Sequence, residues 1–284
     1  MHWKPVLRAT VKEVLDDDAA GLAAQLSYYF FLSLFPTLLA LVALASLFPL
    51  QNFTDEVSRV LSPVAPRAAV KLITDQMVSI GQQENTGLLS LGLLTAIWSS
   101  SAAMGAVVSA MNRAYGITDR RPWWRVRLVA IGLTTALAFF ILLSLSLVLA
   151  GPQLADYLTR WFGMSVVFAW AWKLLQWPLV FALVSVGIAM IYHFAPHRKR
   201  RWLWLTPGSV LATALWLIGS LGFRVYVVKS GSYESAYGTL GGIIVLMLWF
   251  YVSGLSIVIG AELDAEIERA LGKAPVLVKK PTTT

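Results

Sequence analysis

Apolar residues run through this chain in long blocks, separated by short polar stretches. Six blocks reach the roughly 20 residues a helix needs to cross a bilayer. They cover about 21–48, 88–111, 128–149, 174–194, 205–227 and 239–261. The pattern predicts an all-α polytopic membrane protein, with six transmembrane helices in one domain over residues 1–284. Pro36 lies inside the first block, where it removes one backbone donor and predicts a kink. Gly151-Pro152 reads as the stop of the third block. A loop holding Trp161, Trp170 and Trp172 should follow, as in an interfacial aromatic belt. Pro178 falls in the first turns of the fourth block, and Pro207 near the start of the fifth, where proline is tolerated.

Between the blocks the period changes. Trp3, Leu7, Val11, Val14 and Leu15 share one face of a helix over residues 3–15, and Lys4, Arg8 and Lys12 another. Such an N-terminal amphipathic helix suits an anionic membrane surface. Asp16, Asp17 and Asp18 then offer N-cap acceptors for the first span. Residues 49–87 are too polar to span. Val57, Val60, Leu61 and Val64 predict one short amphipathic helix, and Val70, Ile73, Met77 and Ile80 another, with Pro63 and Pro66 between them. Together they form an extracytoplasmic cap. The tail, 268–284, is polar.

Charge orients these elements. Only 13% of residues are charged and 57% are hydrophobic, against roughly 25% charged in a soluble domain. A net charge of +8 would suggest nucleic acid in a soluble protein; here the cations are distributed by side. Sixteen Lys and Arg fall in the N-terminal segment, the 2–3 and 4–5 loops and the tail, and 7 on the opposite side. The positive-inside rule places both termini in the cytoplasm. Membrane lipids are the expected partners, with an envelope protein and further copies of the chain as additional candidates; nucleic acid is not expected. The first apolar block exceeds the roughly 7–15 residues of a signal h-region, so no cleavable leader is read.

Candidate chemistry gathers at three places. Asp18, Arg113 and Glu262 end three spans on the cytoplasmic side, and Arg113 is expected to pair with one or both acids, as a brace or as a headgroup site. Gln25, Tyr28, Ser99, Ser100, Ser101 and Asn112 form a polar seam; Gln25 and Tyr28, with Tyr29, Leu32 and Ser33, should face the bundle interior. Arg224, Tyr233, Glu234 and Tyr237 form an extracytoplasmic mouth, in a glycine-rich loop that matches no nucleotide-binding fingerprint. None of the 15 acids lies mid-span, which argues against carboxylate-coupled ion transport. The chain has no Cys, and its three histidines have no metal-binding spacing. No Ser lies in a G-x-S-x-G elbow. No catalytic residue, cofactor or metal is expected, and the chain does not read as an enzyme.

Four stretches carry a resemblance: Asp18 through Pro36, Trp98 through Gly116, Pro207 to Gly222 and, most specifically, Gly231 through Glu262. In them the chain resembles the YihY/virulence factor BrkB family of bacterial inner-membrane proteins, once described as ribonuclease BN-like. The resemblance implies a six-span bundle in a bacterial inner membrane. It also implies an association with envelope and serum-resistance phenotypes, and a ribonuclease label regarded as a misassignment. The expected function is handling or translocation of a lipid or other amphipathic envelope component. A non-enzymatic scaffold for an envelope partner and a small-solute transporter or channel are the alternatives.

Overall fold

The computed structural model describes residues 3–45, 53–62, 67–81, 86–162, 166–198, 202–230 and 239–272. Among these, every regular element is an α-helix. In chain order they are α1 (Trp3–Asp16), α2 (Ala19–Ala45), α3 (Phe53–Leu61), α4 (Arg67–Gly81), α5 (Thr86–Ala114), α6 (Trp123–Phe162), α7 (Val166–Phe194), α8 (Pro207–Ser230) and α9 (Thr239–Ala270). Four of them, α6 to α9, carry described stretches long and apolar enough to cross a membrane. The described apolar part of α2 is shorter, Ala19–Leu34.

Local chemistry sets the ends. Asp18 takes φ 51, which Asp tolerates better than most residues, and so breaks the chain between α1 and α2. Its carboxylate then accepts the Gly21 N–H at 3.1 Å. The end of α5 is a Schellman turn: Gly116, at φ 65, donates to the Arg113 carbonyl, and Ile117 to that of Asn112. At the start of α8, Thr206 and Ser209 cap each other. The Ser209 N–H donates to Thr206 Oγ1 at 3.0 Å, and the Thr206 N–H to Ser209 Oγ at 3.1 Å.

Helix α6 overturns one sequence expectation. It runs unbroken through Gly151 and Pro152 to Phe162, so Trp161 is helical, and Trp170 and Trp172 lie in the first turns of α7. Proline's fixed φ is a helical φ and its ring costs a single donor. Breaking the helix in an apolar setting would free several backbone groups at once, which is worse. Pro36 and Pro178 are likewise carried inside α2 and α7.

Helix α9 is the hub. It packs on α8, α2, α1, α4 and α5. The main core joins Leu22 and Leu26 of α2, Val107, Val108 and Met111 of α5, Tyr192 of α7 and Val258 of α9. A second cluster, at the far end, seats Val70, Ile73 and Met77 of α4 against Leu34, Leu246 and Trp249. Hydroxyl and indole groups stitch the helices together: Ser27 Oγ donates to the Met247 carbonyl at 2.6 Å, Tyr192 Oη to that of Ile257 at 2.6 Å, and Trp249 Nε1 to Ser220 Oγ at 3.0 Å. In lipid such bonds replace the hydrophobic effect as the source of helix–helix specificity. The outer wall is apolar, with Phe139, Ile141, Leu174 and Ile218 exposed.

Candidate functional site: the charged end of the bundle

The described ion pairs at or below 4.0 Å all lie at one end, where α1, α5, the 5–6 turn, the 7–8 turn and the end of α9 meet. Asn112 is its staple. Its amide Nδ2 donates to Asp119 Oδ2 at 2.9 Å, and its Oδ1 accepts the His197 N–H at 3.0 Å, so one side chain ties α5 to two turns. Arg121 holds Asp119 through Nε and Nη2, and Nη2 also reaches the Ala195 carbonyl at 2.9 Å. Arg198 makes a two-pronged pair with Glu268, its guanidinium 3.8 Å over the Tyr115 ring. Arg269 pairs with Glu266 and donates to the Ala114 carbonyl at 3.3 Å.

The hydrogen bonds from Arg121 hold the Asp119 carboxyl well below its usual range, to about 2. Folding therefore binds this proton less tightly than the open chain does. The resulting stability is complete above the ordinary carboxyl value near 4 and is lost as pH falls from there to about 2. Hydrogen exchange in residues 115–122 should speed up across that interval, and Asp119→Asn should remove the pH dependence.

The sequence-predicted residues divide. Arg113 lies within 4.0 Å of an acid, but the acid is Asp17, at 3.9 Å, and neither Asp18 nor Glu262 is paired with it. Asp18 is exposed and occupied with Gly21. Glu262 is fully buried beside Asp17 and Glu13. The polar seam is not one surface. Gln25, Tyr28 and Leu32 face outward from α2, contrary to the expected inward face, because Ala23, Leu26 and Ser27 take the side against α9. Ser99 and Ser100 lie in α5; Ser101 is buried and donates to the Trp98 carbonyl at 2.7 Å. Arg224 lies on α8, whereas Tyr233, Glu234 and Tyr237 fall outside the described residues.

A cleft of about 440 Å³ opens in this end, lined by Arg121, His193, Phe194, Pro196, His197 and Arg198. Aromatic rings wall one side: His193 meets Phe194 at 4.5 Å and Trp202 at 5.1 Å, and Trp202 meets Trp204 at 5.3 Å. Phe194, in its lining, is exposed, as are Leu203, Trp204 and Leu205 in the turn that leads to α8. Sequence reading missed the cleft, since its lining comes from two turns far apart in the chain. The available signal was His193-Phe-Ala-Pro-His197-Arg198, an aromatic and basic run directly after a span. Among the described residues no three His, Asp or Glu side chains converge in a metal-binding group.

The chain matches the model of the virulence factor BrkB family over residues 10–281. YfkH of Bacillus subtilis (strain 168), which bears a ribonuclease-like name, is 38% identical over 247 residues, covering 87% of this chain and 89% of YfkH. A UPF0761 membrane protein of Tolumonas auensis is 26% identical over 262 residues, 90% of this chain and 83% of its own. Smlt0865 of Stenotrophomonas maltophilia (strain K279a), also a UPF0761 membrane protein, is 25% identical; the match takes in 94% of this chain and 61% of that protein. No solved structure matches. With its apolar helices and a family match over nearly its full length, this chain is a membrane protein of the virulence factor BrkB family.

Proposed function

We propose that the protein is a six-span inner-membrane protein, with both termini cytoplasmic, that binds and moves a lipid or other amphipathic envelope component. On this reading α2 and α5 join α6 to α9 as spans, and α1 lies in the cytoplasmic interface. The carrying observation is the cleft: guanidinium and imidazole groups line it together with exposed Phe194, and the adjoining turn exposes Leu203, Trp204 and Leu205. A pocket at the ends of spans, carrying two imidazoles and two guanidiniums that Asp119 and Glu268 already hold in place, suits an acidic headgroup. The exposed apolar side chains of the adjoining turn suit the chain attached to it. On this reading the chain is not an enzyme, and the ribonuclease-like name of YfkH is not carried over to it.

The test uses purified protein in liposomes, with fluorescent lipids whose outer-leaflet share is quenched by an impermeant reductant. The protein should speed transbilayer exchange over protein-free vesicles. His197→Glu, an exposed side chain in the cleft, should slow an acidic lipid severalfold and a zwitterionic one little. Equal rates with and without protein, for every headgroup tried, would sink lipid movement and favour a scaffold that holds an envelope partner.

A further inference from the structure

A buried acid lies unpartnered beneath α1. Glu262 is 0% exposed, and neither carboxylate oxygen meets a hydrogen-bond partner among the described residues. Glu13 and Asp17 face it from α1, and Glu266 and Arg269 from its own helix. Asp16 and, from α5, Arg113 also act on Asp17. Asp18, ahead of α2, is turned to Gly21, and Asp264 binds the Gly208 N–H of α8 at 2.8 Å.

The cations do not balance these acids. Arg269 is engaged by Glu266 and the Ala114 carbonyl, and among the described residues half-exposed Arg113 pairs with Asp17 alone. Asp17 and Glu262 therefore face each other at a reach that one shared proton would close into a hydrogen bond. Two close carboxylates with too little positive charge nearby cannot both stay ionised cheaply. Burial already pushes the Asp17 and Glu13 carboxyls up from their usual range.

We propose that Asp17 and Glu262 form a proton-binding site, in which one proton taken from water bridges the two carboxylates and fastens α1 to α9. The pair goes from charge −2 to −1, and the O–H of one acid donates to the other. The rest of the α1 seat is apolar: Val6 against Leu263, Ile267 and Leu211, and Val14 against the main core. The bridging proton adds to these contacts in holding the helix down. Its sign is fixed. A proton held more tightly in the seated state stabilises that state at low pH, and the stabilisation is lost as pH rises through the seated value. Helix α1 seats in acid and loosens in base. This site is independent of the lipid-handling reading.

The chain has no native cysteine, so a single introduced thiol is unique. Thr10 lies on the buried face of α1, and Leu271 is exposed just past α9. In the full-length protein in liposomes, maleimide labelling of Thr10→Cys is divided by that of Leu271→Cys at each pH, which cancels the thiol's own titration. Between pH 5 and 9 the ratio should rise, by at most about tenfold per pH unit where the site titrates. Added Glu262→Gln, or separately Asp17→Asn, should flatten the curve. A ratio that stays flat in the otherwise unaltered protein overturns the proposal. So does a rise that survives unchanged in both variants.

Discussion

Gly260→Ala is expected to destabilise the bundle by about 3 kcal/mol, the upper end of what overpacking costs. Helices α8 and α9 cross at Gly208 and Gly260. A Cβ on Gly260 would stand 2.4 Å from the Gly208 carbonyl oxygen, 2.5 Å from Tyr192 Oη and 2.7 Å from Ala212 Cβ. The first of these is backbone and cannot rotate away. A Cβ on Gly208 would meet the Gly260 carbonyl at 2.1 Å, so the clash is mutual. Two bonds depend on this closeness: Tyr192 to the Ile257 carbonyl, and the Gly208 N–H to Asp264. Intrinsic tryptophan fluorescence during heating reads the loss directly. Gly132→Ala is the control. A Cβ there meets nothing within 4 Å, so better helix propensity should leave it neutral or more stable by up to about 1 kcal/mol.

Arg198→Ala should cost about 3 kcal/mol, the lower end for breaking a buried ion pair by removing one partner. Only 16% of the Arg198 side chain and 10% of that of Glu268 are exposed, so the abandoned carboxylate is poorly hydrated. The ring contact with Tyr115 goes as well. Replacing both partners with methionine should recover most of the loss, because no charge is then left stranded. A double-mutant cycle separates the outcomes. Equal losses in Arg198→Ala and in the double variant would mean that the pair itself supplied the stability.

Hydropathy made the apolar helices legible, because a bilayer-crossing helix must state its length in apolar residues. It also placed the end of α5, where Asn112-Arg-Ala-Tyr-Gly116 spells a left-handed stop. What it could not do was choose neighbours. Gln25, Tyr28 and Leu32 do share a face, but a period of 3.6 residues says nothing of which side the partner helix takes. The partner of Arg113 was missed for a finer reason. Three consecutive Asp residues point about 100° apart on a helix. Asp17 still follows the last turn of α1, its N–H donating to the Glu13 carbonyl at 2.8 Å, and the positive φ at Asp18 turns the chain away only after it. The Asn112 staple was out of reach because its two partners lie 7 and 85 residues away in the chain. Helix α6 was cut short in the reading because Gly-Pro signals a stop in water, where freed backbone groups find solvent; in lipid they do not.

Helix α9 is a rod of 32 residues, about 48 Å long at 1.5 Å per residue. A close backbone approach lies at the Gly260 crossing, which divides the rod unequally. The arm towards Thr239 measures about 32 Å, with the α4 cluster seated on it at Leu246 and Trp249, and the arm towards Ala270 about 15 Å. Were α9 to rock about that crossing, it would act as a lever with a mechanical advantage of about two. A sideways push of about 2 Å at the Thr239 end would arrive as about 1 Å at the charged end, with twice the force.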